Sequence, residues 1–133
     1  MRIVADANIL IASIFWNGSP YHIVQQALDK KFEMMVSQQI LDEVRRVLKE
    51  PKYRFELSDQ EIDDIVKGIQ LFTTMVEPVV VKVVERDPND DHIIGCAIAA
   101  NADAVVTRDH DLLSLKEYAG IRIVAPEVFL EGF

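Results

Sequence analysis

Two acidic side chains that could share a chemical site lie far apart in the chain, each just after an apolar run. Asp6 follows the run Ile3–Ala5, which is typical of a short buried strand, and a carboxylate at the end of a core strand is costly unless something satisfies it. Asp109 comes two residues after Thr107, the last residue of a second such run. Because ligands of parallel α/β sheets bind beyond the carboxyl ends of the strands, both acids are expected in one crevice if these strands are neighbours.

Helical periodicity selects one further acid from each of two adjacent pairs. Glu43 borders the apolar face of the helix expected over 37–50, whereas Asp42 points to its solvent side. Asp90 is in line with apolar residues four and seven positions later, so it is expected to point toward the body of the protein. Asp91 points to one side of these apolar residues. It remains a supporting candidate that could reach the crevice from the first turn of the helix.

The four acids together suggest a site for a hard metal ion. Converging carboxylates raise one another's pKa values, and a divalent cation removes this conflict. Mg²⁺ and Mn²⁺ prefer oxygen ligands, while the three scattered histidines and the single Cys96 lack the spacing of a zinc site. Taken singly, each acid also has a common structural explanation as a helix cap or a solvated side chain. The metal ligands and catalytic residues expected from the joint pattern are Asp6, Glu43, Asp90 and Asp109.

Strands and helices alternate along the whole sequence. Continuous apolar strands separated by helices are typical of a parallel sheet that is covered on both faces. We therefore predict a three-layer α/β/α fold with a central, mainly parallel five-stranded sheet, in a single domain spanning 1–133. The strands are expected at 2–5, 32–36, 76–85, 104–107 and 121–124. Helices are expected to begin at the caps Ser19, Ser37, Ser58 and Asp109, and near Ala7, Asp90 and Pro126.

The charge balance excludes one class of protein and leaves another open. With 14 basic and 22 acidic residues the net charge is −8, which argues against a general nucleic-acid coating protein. It does not exclude a nuclease, because a carboxylate metal site contributes several negative charges that bound cations offset. No apolar run reaches membrane-spanning length and no signal peptide is recognisable, so a cytoplasmic location without a membrane partner is expected.

These features resemble the PIN-domain ribonucleases, in particular the small prokaryotic ones that act as toxins of toxin–antitoxin pairs. The resemblance covers essentially the whole chain, and its most specific part is the last of four segments. Those segments are Asp6–Leu10, Ser37–Leu48, Asp87–Asp91 and Ala102–Leu113. The four acids of the family fall on the four acids chosen above. The family also has a small polar residue after its first acid and a hydroxyl before its fourth, here Asn8 and Thr107, which the resemblance implies are supporting groups that orient carboxylates.

The resemblance implies Mg²⁺- or Mn²⁺-dependent hydrolysis of RNA, a homodimer, and inhibition by a small antitoxin protein. Two cations beside the acids, Arg46 and Arg108, are candidate RNA contacts, although mixed charge is also common on solvated helix faces. Trp16 and Tyr21 flank the turn at Asn17 and could stack on bases, pack within the fold or form an oligomer contact.

Two other functions remain open from the sequence. The first is a PIN-fold interaction module without catalysis, against which the intact set of four acids argues. The second is a housekeeping RNA-processing nuclease, which the sequence alone does not distinguish from a toxin. A phosphorelay receiver domain is disfavoured because Asp6 has no acidic neighbour after the first strand.

Overall fold

A mostly parallel sheet forms the centre of the fold. In the computed structural model, which describes residues 1–84 and 88–132, the strands lie in the order β3-β2-β1-β4-β6-β5. All neighbouring strands are parallel except β5 and β6, which are antiparallel. The strands are β1 Arg2–Ala5, β2 Glu33–Val36, β3 Thr73–Met75, β4 Ala104–Val106, β5 Glu117–Tyr118 and β6 Ile121–Val124.

Helices flank this sheet, and the predicted α/β/α fold is confirmed. The sheet has six strands rather than five, because the two-residue β5 pairs with β6 at one edge. The helices are α1 Ala7–Phe15, α2 Ser19–Leu28, α3 Gln38–Lys49, α4 Asp59–Phe72, α5 Asp91–Ala99, α6 His110–Leu113 and α7 Pro126–Leu130. Short 3₁₀ helices occur at Pro51–Tyr53 and Pro88–Asp90.

The strand order places β1 and β4 side by side in the middle of the sheet. Ala5 is paired with Val106, the last residues of the two strands, and the amide of Asp6 donates to the carbonyl of Val106 at 3.4 Å. The chain continues outward from β1 to β2 on one side and from β4 to β6 on the other. This reversal of direction is the point where α/β sheets open a crevice for ligands.

The third strand is not where the sequence predicted it. The expected strand at 76–85 is wrong for its described part, because β3 occupies Thr73–Met75 and no strand follows over 76–84. The ladder ends where its neighbour ends: the amide of Val76 donates to the carbonyl of Val36, the last residue of β2, at 2.8 Å. Over residues 77–84, the valine-rich segment therefore has no neighbouring strand to pair with. Glu85, and Asp87 of the expected turn at 87–89, lie outside the described residues.

The segment 76–84 instead passes across α5. The amide of Val79 donates to the carbonyl of Gly95 at 3.2 Å, and a Cβ atom at Gly95 would overlap the carbonyl oxygen of Val79. Only glycine allows the two backbones to approach this closely.

Most helix starts agree with the capping signals in the sequence. Ser37 caps α3, Ser58 and Glu61 form the expected capping box of α4, and Asp109 caps α6. The assignment of Ser19 as a cap is wrong: Ser19 is already the first residue of α2, and Gly18 is its cap. Gly18 has the extended backbone that a cap position requires, so the helix begins one residue earlier than the hydroxyl suggested.

The interior is apolar on both faces of the sheet. Cys96 is fully buried within it, and desolvation raises the pKa of its thiol to about 11, so this cysteine is a packing residue.

Among the described residues, no helix is long and apolar enough to cross a membrane.

Candidate functional site

The site is built outward from Asp6, the residue that links β1 to α1. Asp6 as a whole residue is 9% exposed, and its carboxylate caps α1, with Oδ1 accepting from the amide of Ile9 at 3.0 Å. The hydroxyl of Thr107, at the end of β4, donates to Oδ2 of Asp6. The same hydroxyl oxygen accepts from the amide of Asp109 at 3.0 Å. Thr107 therefore joins the first and last of the four acids through one buried hydroxyl.

The pKa of Asp6 is raised above its ordinary value. Burial is the main cause, and it is opposed by the hydrogen bonds from Thr107 and from the amide of Ile9. The negative charges of Asp109 and Glu43 raise the pKa further. An ionised Asp6 is thus energetically unfavourable unless a positive charge approaches it.

Glu43 lies on α3 and is oriented by a histidine and an arginine. His92 Nε2 lies 3.5 Å from Oε2 of Glu43, and Arg46 Nη2 donates to Oε1 at 3.2 Å. These contacts, with the His92 hydrogen bond as the largest cause, lower the pKa of Glu43. The neighbouring Asp42 is exposed and accepts from the side chain of Gln38 at 2.9 Å, on the face of α3 that the helical period assigned to solvent.

Asp90 and Asp91 have different surroundings. Asp90 ends the 3₁₀ helix before α5 and lines the acidic cavity described next. Asp91 is not among the residues that line this cavity. Its Oδ1 atom instead accepts from the amides of Val83 and Val84 at 3.0 and 2.7 Å, so it fixes the end of the segment 76–84 against the start of α5.

The four predicted acids line one small cavity of about 120 Å³ at the carboxyl ends of β1 and β4. Asn8, which is exposed on the first turn of α1, also lines this cavity. Thr107 does not line it but contacts two of the acids that do. The lining residues are Asp6, Ala7, Asn8, Glu43, Asp90, Ile93 and Asp109. The structure thus brings together acids that are up to about a hundred positions apart in the chain.

Two residues near the cavity were missed from the sequence. Carboxylate oxygens of Asp90, Asp109 and Asp111 lie within 4.8 Å of one another, and the available signal for Asp111 was its place in the first turn of the helix that Asp109 caps. His92 was dismissed for lack of ligand spacing, yet it contacts Glu43. Its Nδ1 atom is buried and has no hydrogen-bond partner among the residues that the structure describes.

The two candidate RNA contacts are both exposed and both paired with an acid. Arg46 binds Glu43, as above, and Arg108 Nη2 donates to Oε1 of Glu127 at 2.7 Å. Arg108 also lowers the pKa of Glu127. Neither arginine lines the acidic cavity, so both lie near the cavity rather than inside it.

The donor set of the cavity fits a hard divalent cation. All four acidic side chains offer carboxylate oxygens, and among the described residues neither a thiolate nor an imidazole lines the cavity. Oxygen-only sets suit Mg²⁺ and Mn²⁺ rather than zinc. A cation would also relieve the unfavourable charge of Asp6, whose pKa is raised by burial and, to a smaller extent, by its acidic neighbours.

Solved structures with the same fold include two prokaryotic proteins. The VapBC2 structure from Rickettsia felis, bound to a DNA fragment from their promoter, contains a chain that is 15% identical, with a TM-score of 0.65 over 94% of this chain and 98% of that chain. PAE2754 from Pyrobaculum aerophilum is 17% identical, with a TM-score of 0.66 over 99% of this chain and 88% of that chain. No curated protein sequence matches the chain significantly. The family model of the PIN domain matches residues 2–111. The chain therefore belongs to the PIN domain family, whose members are generally nucleases.

Proposed function

We propose that this protein is a metal-dependent ribonuclease that hydrolyses RNA phosphodiester bonds with Mg²⁺ or Mn²⁺. The observation that carries the proposal is the convergence of Asp6, Glu43, Asp90 and Asp109 on one cavity at the carboxyl ends of β1 and β4. Membership of a family of nucleases supports the type of reaction. The choice of RNA as substrate rests on the sequence resemblance.

Asp90, Asp109 and Asp6 are the residues that would hold the ion, with Glu43 binding directly or through water. Asp111 joins this set because its carboxylate lies with those of Asp90 and Asp109. When bound, the ion supplies Lewis acidity at the scissile phosphate and lowers the pKa of a water molecule.

The chain's own residues keep the acids in position for this chemistry. The hydroxyl of Thr107 and the amide of Ile9 hold both oxygens of Asp6, so the carboxylate does not need to reorder when an ion binds. Arg46 and His92 do the same for Glu43. Such supporting contacts orient ligands and tune their affinity. Asn8, on the rim of the cavity, has an amide group that can contact a substrate phosphate.

Arg46 and Arg108 are proposed to contact the RNA backbone. Each is exposed beside an acid of the cavity and is paired with a glutamate in the absence of substrate. A phosphate would compete with Glu43 or Glu127 for these guanidinium groups. Both exchanges are inexpensive, because exposed ion pairs contribute little to stability.

The biological setting remains a proposal taken from the sequence. We expect one nuclease domain over 1–133, a homodimer, and a toxin that is held inactive by a small antitoxin protein. A cytoplasmic location is part of the same prediction. A housekeeping RNA-processing nuclease would use the same cavity, so the presence of an antitoxin distinguishes the two.

Cleavage of a labelled single-stranded RNA with Mn²⁺, and with EDTA, tests the activity. Glu43→Gln removes one carboxylate charge from the cavity and is expected to lower the Mn²⁺-dependent rate by about 10-fold or more, as losses at metal sites commonly do. Asp42→Asn removes a charge from the adjacent residue on the solvent face of α3. This control is expected to cleave like the wild type.

Thermal unfolding with and without Mn²⁺ separates the proposal from an inert interaction module. A cation that binds only the folded protein raises the melting temperature, and the rise should be smaller in Glu43→Gln than in Asp42→Asn. An unchanged melting temperature in Mn²⁺, together with no cleavage by the wild type, would favour the module.

A further inference from the structure

Four aromatic side chains form a continuous row on the surface, away from the acidic cavity. They comprise the chain's only tryptophan, one of its three tyrosines and two of its six phenylalanines. Ring centroids lie 6.0 Å apart for Phe15 and Trp16, 4.8 Å for Phe15 and Phe55, and 6.1 Å for Phe55 and Tyr53. We call Trp16, Phe15, Phe55 and Tyr53 the aromatic row.

The aromatic row is largely exposed to solvent. Trp16 is 58% exposed and Tyr53 50%, at the two ends of the row, and Phe15 is 37% exposed, whereas Phe55 is half-buried against the core. Aromatic rings contribute most when they are buried, because each removes a large apolar area from water. A contiguous group of exposed rings is therefore typical of a binding surface rather than of the core.

The chain beside the aromatic row is basic, although the protein as a whole is acidic. Residues 45–54 contain five cations and one acid, in a chain of net charge −8. Arg45 and Lys49 face Asp63 and Asp59. Within the described part of the chain, Lys52 and Arg54 have no acid within ion-pair distance. The five basic residues of this basic stretch are Arg45, Arg46, Lys49, Lys52 and Arg54.

Rings and cations meet at one end of the row. Lys52 Nζ lies 5.1 Å from the centroid of the Tyr53 ring. A ring with a cation beside it matches the two chemical parts of a nucleotide, since bases stack on aromatic faces and phosphates pair with cations. An apolar protein partner would need the rings but would gain nothing from two cations without acidic partners.

Two helices connect the aromatic row with the acidic cavity. α1 begins at its cap Asp6 and ends at Phe15, a helix of nine residues that is about 13 Å long. α3 packs against α1, carries Glu43 and Arg46, and leads through its last residues to Tyr53. An RNA strand that is bound to the aromatic row therefore needs only a few nucleotides to reach the acidic cavity.

We propose that the aromatic row and the basic stretch bind single-stranded RNA and lead it toward the acidic cavity. Bases stack on Trp16 and Tyr53, and phosphates contact Lys52 and Arg54. The RNA must be unpaired, because the faces of paired bases are covered by their neighbours in a duplex. The direction toward the cavity rests on the proposed nuclease function, whereas binding to the row does not.

Trp16 provides a direct measurement, since it is the only tryptophan of the chain. Its fluorescence is titrated with oligouridylate in EDTA, where no metal-dependent cleavage takes place. Single-stranded RNA is expected to quench the signal to saturation, with an affinity that falls as salt rises. A duplex RNA of the same length is expected to quench it much less.

Variants of individual residues show whether RNA binds at the aromatic row and the basic stretch. Tyr53→Ala is expected to weaken binding by about 5- to 150-fold, the range found for the loss of one stacking ring, and Lys52→Ala by less. The matched control for Lys52→Ala is Lys67→Ala on the exposed side of α4, which is expected to bind like the wild type.

Three results would overturn the inference: no quenching by single-stranded RNA, equal quenching by the duplex, or unchanged binding in Tyr53→Ala. Self-association that Tyr53→Ala abolishes, seen as a concentration-dependent size in light scattering, would also overturn it, because the row would then join two copies of the chain. Failure of the proposed function has a different signature: RNA would quench Trp16 in a row-dependent manner, yet no cleavage would follow on adding Mn²⁺.

Discussion

Ser37 and Asp6 occupy equivalent places in the fold but have different surroundings. Each follows a central parallel strand, and each caps the helix that comes next. Oγ of Ser37 accepts from the amide of Ile40 at 3.2 Å, and Oδ1 of Asp6 accepts from the amide of Ile9 at 3.0 Å. Both side chains are buried. As far as the strand-to-helix connection is concerned, the two residues have the same role.

The difference is a charge that the cap of α1 does not need. A hydroxyl is sufficient to cap α3, and serine and aspartate are about equally good caps. The carboxylate of Asp6 is buried next to two other acids, and its raised pKa shows that the charge is unfavourable there. A group that weakens the fold and has a neutral substitute of equal capping strength is typical of a functional site. Exchanging the two residues tests this conclusion from both sides.

Ser37→Asp is expected to produce the largest change, because it places a charge at a fully buried position. Ser37 is fully buried, and an uncompensated buried charge costs about 3–5 kcal/mol. The free energy of unfolding at neutral pH, measured with urea, should fall by this amount. Ser37→Asn adds nearly the same volume without the charge and should cost clearly less. Equal losses in both variants would mean that volume, not charge, decides what this position tolerates.

Asp6→Ser is the reverse exchange and is expected to abolish function while keeping the helix cap. If Asp6 is a metal ligand, as proposed, its loss should cost more than the roughly 10- to 100-fold that supporting residues cost. The measurement is the initial rate of Mn²⁺-dependent RNA cleavage. Helix content by circular dichroism should be unchanged, because the serine hydroxyl replaces Oδ1 as the acceptor. A rate near that of the wild type would remove Asp6 from the site.

The same variant has a pH signature in stability. Because the pKa of Asp6 is raised in the folded protein above 3.8, the folded state holds this proton more tightly than the unfolded state. The wild type therefore loses stability as the pH rises from about 3.8 through the raised pKa. In EDTA, Asp6→Ser should be more stable than the wild type at neutral pH, and this advantage should disappear below pH 3.8. An advantage of equal size at both pH values would have another cause.

Much of this comparison could be drawn from the sequence. Strand ends and helical faces follow from local periodicity, so Asp6 could be selected from its place after a strand, and Glu43 and Asp90 could be chosen over their acidic neighbours from sequence alone. Caps are equally local, and Ser37 and Asp109 begin helices where they were expected to.

What the sequence did not reveal depends on how separate elements pack. The contact of His92 with Glu43 joins α5 to α3, and nothing in either helix alone indicates it. The closeness of Asp111 to Asp90 likewise depends on where α6 lies relative to α5. The predicted position of the third strand was wrong for the same reason. The position of β3 is set by the end of β2 at Val36 rather than by the valines that follow it.

Thr107→Val tests the part of the site that has no counterpart at Ser37. The buried hydroxyl donates to Asp6 and accepts from the amide of Asp109, and valine has the same shape without either bond. We expect the Mn²⁺-dependent rate to fall by about 10- to 100-fold. Thr107→Ser retains the hydroxyl and should recover most of the rate. If serine and valine variants were equally impaired, packing of the methyl group would be the more important contribution.

Ser58→Ala removes a cap far from the cavity and should give the smallest effect. Ser58 is exposed, and its hydroxyl accepts from the amide of Glu61 while the carboxylate of Glu61 accepts from the amide of Ser58. Losing such a cap costs about 1 kcal/mol, which urea unfolding resolves. RNA cleavage should be unaffected because α4 contributes no residue to the cavity. Ser58→Asp should be nearly neutral in stability, since aspartate caps as well as serine and its charge is solvated here. The contrast between this result and Ser37→Asp would isolate burial as the reason that a charged cap is unfavourable at a position such as Asp6.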